Sequence, residues 1–280
     1  MSDFPQPVDL DAYLSRPSDA EPELRRLFGR DEALVIFDIG ACEGEESIRY
    51  TRRFPKARIH AFEALPANQN IIRRNFARYG IDTAELVPLA LADHDGQATF
   101  HVSSGRPPDL FAGEAWNYGN KSSSLLPPAD PAAMLGWIEF KETVTVTCEM
   151  LDTYCARKAV DRIDFIHMDV QGAEALVLRG ARRMLPRVRS IWMEVASKEI
   201  YRGQVLRDEL DTVMLSHGFA CTYESNRGDE GDRLYVNRRT WLGRRRLALL
   251  ALESAARRVR HAAGTAKRAL IDRRPPLNPK

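Results

Sequence analysis

Residues 34–44, Leu-Val-Ile-Phe-Asp-Ile-Gly-Ala-Cys-Glu-Gly, constrain the fold more than any other stretch of the chain. An apolar run rich in β-branched and aromatic residues, short enough for a buried strand, stops at Asp38-Ile39-Gly40. A second glycine, Gly44, follows four residues after the first, and from Glu45 the pattern turns helical, with Ile48 apolar and Arg49 and Arg52 polar. Strand, glycine turn and helix form the first unit of a doubly wound sheet, whose ligands sit at the carboxyl ends of the strands.

The glycine spacing discriminates between ligands. Dinucleotide folds need G-x-G-x-x-G, and phosphate loops need Lys-Ser/Thr after the last glycine; neither is present. Asp38 would repel a pyrophosphate at the helix N-terminus, where an anion is otherwise favoured. It suits a cofactor that carries positive charge and no phosphate, a description met by S-adenosylmethionine. Gly40 and Gly44 would let the backbone approach that cofactor closely. The alternative is a tight turn that binds nothing. Ala57–Phe62 reads as the next strand, and Glu63 at its end can bridge two ribose hydroxyls; a solvated glutamate closing a strand is the plainer reading.

Around this unit the chain divides into an N-terminal arm and helix (1–33), a main domain (34–238) and a tail (239–280). Residues 1–17 are polar and proline-punctuated and read as a loose arm, and Ser18 with Glu21 resembles a capping box opening a helix. A helix is expected over Pro66–Tyr79, and a third strand over Glu85–Leu91 with Gln97–Val102 as its hairpin partner across Asp93–Gly96. From Ser103 to Glu142 periodicity is lost among glycines, prolines and scattered aromatics, which reads as a functional lid. Strands are expected at Thr143–Thr147, Ile163–Val170 and Ser190–Val195, and helices at Glu174–Leu185 and Val205–Ser216. Gly218–Tyr223 and Leu234–Val236 read as a closing antiparallel hairpin. The order predicts an α/β, Rossmann-like, doubly wound and mostly parallel sheet of seven strands with that hairpin at its edge.

Charge is uneven. Residues 239–280 hold twelve Lys/Arg against two Asp/Glu, while the whole chain carries +2, which leaves residues 1–238 at −8. An acidic body argues against a nucleic-acid partner. In the tail, Leu249, Leu252, Ala256, Val259, Ala263, Ala266 and Leu270 recur three and four apart among arginines. That makes residues 240–272 an amphipathic basic helix for the domain's own surface, a protein partner or an anionic membrane. Cys42, Cys148, Cys155 and Cys221 lack zinc or disulfide spacing. Without a signal peptide or an apolar run of membrane-spanning length, the expected location is cytoplasmic, with membrane-peripheral contact through the tail.

The strand ends gather acids. Asp169 lies where a reactive cofactor end is presented and is the candidate general base for a hydroxyl acceptor. Glu194 would assist, and His167 lies two residues back on the same strand face. Asp169 and Glu194, with Glu174, could instead hold Mg²⁺. Capping of the following helix is the plainer role for Asp169, and a first-turn acid for Glu174.

Asp38-Ile39-Gly40-Ala41 with Gly44, Phe62-Glu63, Ala90–Asp93 before Gly96, Ser122–Leu125, Leu151-Asp152 and, above all, Ile163–Glu174 resemble the FkbM family of S-adenosylmethionine-dependent methyltransferases. The resemblance runs from about Leu34 to Val195. It implies O-methylation of a hydroxyl, often on a sugar or polyketide-type natural product, and adds Ala41 and Asp93 to the cofactor residues. Lysine is frequent at position 167 in such sequences; the histidine here keeps a proton-transfer group whose charge changes near neutrality. The resemblance covers neither the arm nor the tail. A small-molecule or glycan acceptor is therefore expected. A non-catalytic adaptor that keeps the cofactor pocket and works through its tail is the rival from another class. A nucleic-acid or protein methyltransferase is weaker still, since no Asn/Asp-Pro-Pro-Tyr/Phe motif occurs.

Overall fold

The computed structural model describes residues 10–105, 118–129, 136–225, 228–240 and 248–249. Parts of the expected lid (106–117 and 130–135) and nearly all of the basic tail lie outside the described residues.

The chain opens with helices α1 (Leu10–Ser15) and α2 (Ala20–Leu27), then β1 (Val35–Ile39), α3 (Glu45–Arg53), β2 (Arg58–Phe62), α4 (Pro66–Tyr79) and β3 (Ala84–Val87). Strands β4 (Ala90–Ala92), β5 (Gly96–Gly105) and β6 (Ile138–Met150) follow, then α5 (Leu151–Arg157), β7 (Ile163–Met168) and α6 (Glu174–Arg179). The domain closes with β8 (Val188–Ala196), α7 (Arg207–Ser216), β9 (Phe219–Glu224) and β10 (Glu230–Asn237). Seven strands form one sheet in the order β3-β2-β1-β7-β8-β10-β9. Every observed pairing in it is parallel except those of β10, which runs antiparallel to both β8 and β9. This is the expected doubly wound sheet, with its order reversing between β1 and β7, the crevice where such sheets bind ligands.

Period-two alternation assigns the strand residues to the two faces. Phe37, Ile39, Ile166 and Met168 join the core formed with α5, α6 and α7. Ile36, Phe165 and Trp192 join the core formed with α2 and α3 through Leu24, Leu27, Tyr50 and Phe54. Asp38 and His167 share the parity of that second face. They are direct register partners across β1 and β7, and His167 is in turn the partner of Trp192 on β8.

Several local expectations are corrected. The strand expected over Glu85–Leu91 breaks at Pro88, which cannot donate to a ladder. Its second half, β4, joins a separate three-stranded sheet ordered β4-β6-β5, so β5 pairs with β6 instead of closing a hairpin on its predecessor. β5 and β6 also run into the expected lid, reaching Gly105 and starting at Ile138. The helix expected over Glu174–Leu185 ends at Arg179, and Gly180 follows it, packed so tightly that a Cβ there would meet the Ala92 carbonyl oxygen at 2.0 Å. The arm is docked from Leu10 onward, not loose: Leu10 is buried, and Arg49 on α3 donates to the Arg16 carbonyl at 2.6 Å and the Tyr13 carbonyl at 3.3 Å. Ser18 does open α2, but through its Oγ accepting the Ala20 N–H, while Glu21 turns to Arg25 and forms no capping box. Among the described residues, no helix is long and apolar enough to cross a membrane.

Candidate active site

Two cavities meet at the carboxyl ends of β1 and β7. A wide cleft of about 930 Å³ is lined by Asp38, Ala41, His167, Asp169, Trp192 and Glu194, among others. Its walls also include Tyr13, Arg16 and Asp19 from the arm, and Asp229, Glu230 and Asp232 from the β9–β10 hairpin. A narrow cavity of about 60 Å³ holds Glu63, Asn68, Leu91 and Asn120.

Asp38 is buried on β1, and its Oδ2 accepts the Ser47 hydroxyl of α3 at 2.5 Å. Burial lifts its pKa to about 6 against the opposing pull of His167 and the Ser47 hydrogen bond. Glu63 follows β2. Its Oε2 accepts the Cys42 N–H at 2.9 Å and its Oε1 the Leu65 N–H at 2.7 Å, while burial raises its pKa to about 7. The Asn68 side chain is a further hydrogen-bond partner, and the carboxylate retains acceptor capacity for a ribose hydroxyl. In the same cavity the buried Asn120 Oδ1 finds no hydrogen-bond partner among the described residues, an acceptor suited to a ribose hydroxyl or an adenine amino group.

These donors and acceptors fit S-adenosylmethionine: Asp38 for the amino group, Glu63 and Asn120 for the nucleoside.

The two glycines also answer to packing. Gly40 (φ +88°) and Gly44 (φ +82°) both occupy the left-handed region. A Cβ on Gly40 would meet the Asp169 carbonyl oxygen at 1.9 Å, and one on Gly44 would meet the Phe76 ring at 2.9 Å. It is the packing of the turn against β7 and α4 that excludes a side chain at these positions, before any ligand is considered.

Asp169 follows β7 and is exposed to the cleft, with its N–H held by the Ile39 carbonyl at 3.0 Å. Gln171, in a left-handed conformation (φ +53°), donates one amide nitrogen to Asp169 Oδ1 at 2.7 Å and to Glu194 Oε2 at 2.8 Å. Its carbonyl oxygen accepts the buried Tyr201 hydroxyl at 2.9 Å, and that hydroxyl also reaches the Ser122 carbonyl at 2.8 Å. Burial, then the charges of Asp169, Glu230, Glu174 and Asp232, drive the Glu194 pKa well above the ordinary carboxylate value. His167 Nδ1 lies 2.6 Å from the Tyr50 hydroxyl.

The structure thus gathers Asp38, Gly40, Ala41, His167, Asp169 and Glu194 at one cleft, with Glu63 in the adjoining cavity. Two expectations fail, those for Asp93 and magnesium, while Glu174 takes its plainer role as a first-turn acid. Asp93 lines neither cavity; it pairs with His94 at 3.0 Å and Arg179 at 3.3 Å on the turn after β4. Glu174 is buried and accepts the Gly172 N–H at 3.2 Å, which makes it a turn-capping acid outside the cleft. The magnesium expectation is not supported. An amide donor already bridges Asp169 and Glu194, and among the described residues no group of three or more His, Cys, Asp or Glu side chains is arranged to hold a metal.

Sequence reasoning missed the roles of Gln171, Tyr201, Asn120 and the arm. Gln171 sits inside the most specific motif and could have been weighed, whereas no local pattern marks Tyr201.

The chain is similar to known proteins over much of its length. Residues 38–221 match the methyltransferase FkbM domain. The chain is 34% identical over 204 residues, 72% of its length and 79% of the relative's, to 2-O-methyltransferase NoeI of Sinorhizobium fredii. It is 24% identical over 200 residues, 69% of its length and 75% of the relative's, to 31-O-demethyl-FK506 methyltransferase FkbM of Streptomyces tacrolimicus. Among solved structures, M. capricolum TrmK in complex with S-adenosyl-homocysteine aligns at 11% identity and a TM-score of 0.44, over 80% of this chain and 70% of that one.

Proposed function

The chain belongs to the FkbM family of S-adenosylmethionine-dependent methyltransferases, and on that premise we propose that it methylates a hydroxyl of a saccharide or a related natural product. The observation that carries this reading is the Asp169–Gln171–Glu194 array, open to a wide cleft beside the cofactor residues. The names of both relatives specify transfer to oxygen. A cleft rich in carboxylates and amides suits the hydroxyls of a sugar.

S-adenosylmethionine, when bound, supplies an electrophilic methyl group on its sulfonium. Asp38 holds the cationic amino group, and Glu63 with Asn120 holds the nucleoside. Asp169, presented to the cleft, accepts the acceptor's hydroxyl proton as the oxygen–methyl bond forms. Gln171 fixes the Asp169 carboxylate by donating to Oδ1, and Tyr201 fixes Gln171. Glu194, whose pKa is raised by burial and by the neighbouring acids, shares the Gln171 amide with Asp169.

The test is transfer of isotope-labelled methyl from S-adenosylmethionine to a panel of mono- and oligosaccharides, nucleotide sugars and macrolide alcohols, read by mass spectrometry. Labelled O-methyl product with wild type and a loss of at least about a hundredfold with Asp169→Asn supports the reading. Label on nitrogen or carbon of the acceptor would sink it. A role for the basic tail at a membrane or partner surface belongs to the same proposal; a chain ending near Arg239 that behaves identically in liposome flotation and pull-down would remove it.

A further inference from the structure

The wide cleft has a floor and two walls. Its floor is the row of strand ends that carries Asp38 on β1, Asp169 after β7, Glu194 on β8 and, paired in register with Glu194, Asp232 on β10. These four strands are consecutive in the sheet. Neighbouring strands lie about 4.8 Å apart, so the row spans about 14 Å. One wall is the arm, through Tyr13, Arg16, Ser18 and Asp19, and the other is the β9–β10 hairpin with Lys198–Ile200 beside it. Leu10 seats the arm in one apolar cluster with Ala41, Ile48 and Phe76. The hairpin is tied to the end of β8, where the Asp229 carbonyl accepts the Ser197 N–H at 2.7 Å and its carboxylate pairs with Lys198 at 2.7 Å.

Neither wall reaches the nucleoside cavity: no residue of the arm or of the hairpin lines the space beside Glu63 and Asn120. Both walls also lie outside residues 38–221, which match the family domain. They border the part of the cleft beyond the cofactor, where the methyl acceptor sits. Asp169 stands between them, after the strand flanked by β1 and β8. A single sugar ring over Asp169 leaves both walls uncovered, whereas a chain of rings reaches them.

The lining also discriminates between classes of acceptor. Apolar side chains offer little surface, since Trp192 is 4% and Ile138 6% exposed, while Arg16, Asp19, Glu199 and Glu230 are exposed. Such a surface gives hydrogen bonds to many hydroxyls and little to the apolar face of a macrolide. Among the described residues, Asp or Glu occupies ten lining positions and Lys or Arg four, which disfavours the diphosphate of a nucleotide sugar.

Resting on the O-methylation reading above, we propose that the acceptor is an unphosphorylated oligosaccharide of several rings. It lies across the strand ends with its reacting hydroxyl at Asp169 and its flanking rings against the arm and the hairpin. Asp19 and Asp229 are then acceptor-binding residues on opposite walls.

The test is methyl transfer by the full chain to gluco-, manno-, galacto- and rhamno-oligosaccharides of increasing length, beginning with the monosaccharides. In the series that is methylated, kcat/KM should rise at least about tenfold between the single ring and the longer chains, because remote rings supply binding energy. Asp19→Ala and Asp229→Ala should each lower kcat/KM for the longest chain by about three- to tenfold, and for the single ring by less. Calorimetric affinity for S-adenosylhomocysteine should stay within about twofold in both variants. A rate independent of chain length, or transfer at least as efficient to nucleotide sugars or macrolide alcohols, overturns the proposal and leaves the O-methylation reading standing. Equal losses at every length in both variants also overturn it, since the walls would then act on the fold and not on the flanking rings. No O-methyl product from any acceptor, with protein that binds S-adenosylhomocysteine, overturns the O-methylation reading and this proposal with it.

Discussion

The carbonyl oxygen of Asp169 stands 1.9 Å from the place a Cβ on Gly40 would occupy. The residue that turns the chain after β1 and the residue that presents the candidate base after β7 are therefore packed backbone against backbone. The Asp169 N–H, bonded to the Ile39 carbonyl at 3.0 Å, locks the same contact. Cofactor turn and base are set by one junction, and that junction tolerates no side chain.

Gly40→Ala should accordingly fail as a fold before it fails as a binding site. A left-handed alanine costs about 1 kcal/mol or more, and the clash with a backbone carbonyl adds strain that only a shift of β1 against β7 relieves. A loss of roughly 3 kcal/mol in urea unfolding is expected, with S-adenosylhomocysteine failing to restore the wild-type midpoint. Wild-type stability with binding alone lost would mean that the glycine serves the ligand after all.

Asp38→Asn should separate stability from binding. The native pKa of about 6 lies above the ordinary 3.8, so the folded protein holds this proton more tightly than the unfolded chain. The favourable contribution is complete below about pH 4 and is lost as the pH rises to about 6, leaving ionised Asp38 a constant burden of up to about 3 kcal/mol above that. The neutral amide of the Asp38→Asn variant escapes it. The variant should melt higher than wild type at about pH 8, with the difference vanishing near pH 4, and should bind S-adenosylmethionine at least about a hundredfold more weakly. In wild type, cofactor affinity should fall about tenfold per unit below about pH 6 as Asp38 takes its proton, and the variant should lose that limb. Melting and titration at matched pH would check both.

Gln171→Leu removes the amide that donates to both Asp169 and Glu194. Cofactor affinity should stay within about threefold, while methyl transfer to an acceptor found in the screen should drop by about one to two orders of magnitude. A base held out of line loses most of its benefit. Tyr201→Phe, which frees Gln171 at one remove, should give a smaller loss in the same direction. If cofactor affinity fell in step with rate, the glutamine would belong to the cofactor site instead.

Arg49→Ala tests the arm. Arg49 is buried, stacks over the Tyr13 ring at 4.8 Å and ties the carbonyls of Tyr13 and Arg16 to Glu46 on its own helix. Removing one member of a buried ion pair costs about 3 kcal/mol. Protease should then cut within residues 10–19 at least about tenfold faster than in wild type, with residues 34–196 still protected. Equal cleavage rates would mean that the arm is held by Leu10 and α1 packing alone.

Local chemistry carried much of this protein by itself. The apolar run before Asp38 and the runs before Glu63 and Asp169 are legible because buried parallel strands need mostly apolar sequence, here interrupted by His60, Asp164 and His167. Pro66 and Gly80 bound α4 because one fits a first helical turn and the other takes the left-handed cap, at φ +62°. The order of these elements is enough to specify a doubly wound sheet, and with it the end of the sheet where Asp38, Glu63, Asp169 and Glu194 collect.

Tertiary structure decided everything that depends on residues distant in sequence. Periodicity could not tell that β5 pairs with β6 instead of β4, because alternation fixes which face a side chain takes and not which neighbour accepts its hydrogen bonds. It could not bring Tyr201 to Gln171 or Lys121 to Glu45, 30 and 76 positions apart, since neither contact follows a helix or strand repeat. Asp93 looked like a site residue and is a surface ion pair, while the arm looked loose and is a wall of the cleft. A pattern within one segment records which side is buried; the partner across the gap is chosen by packing, hydrogen bonding and charge in three dimensions.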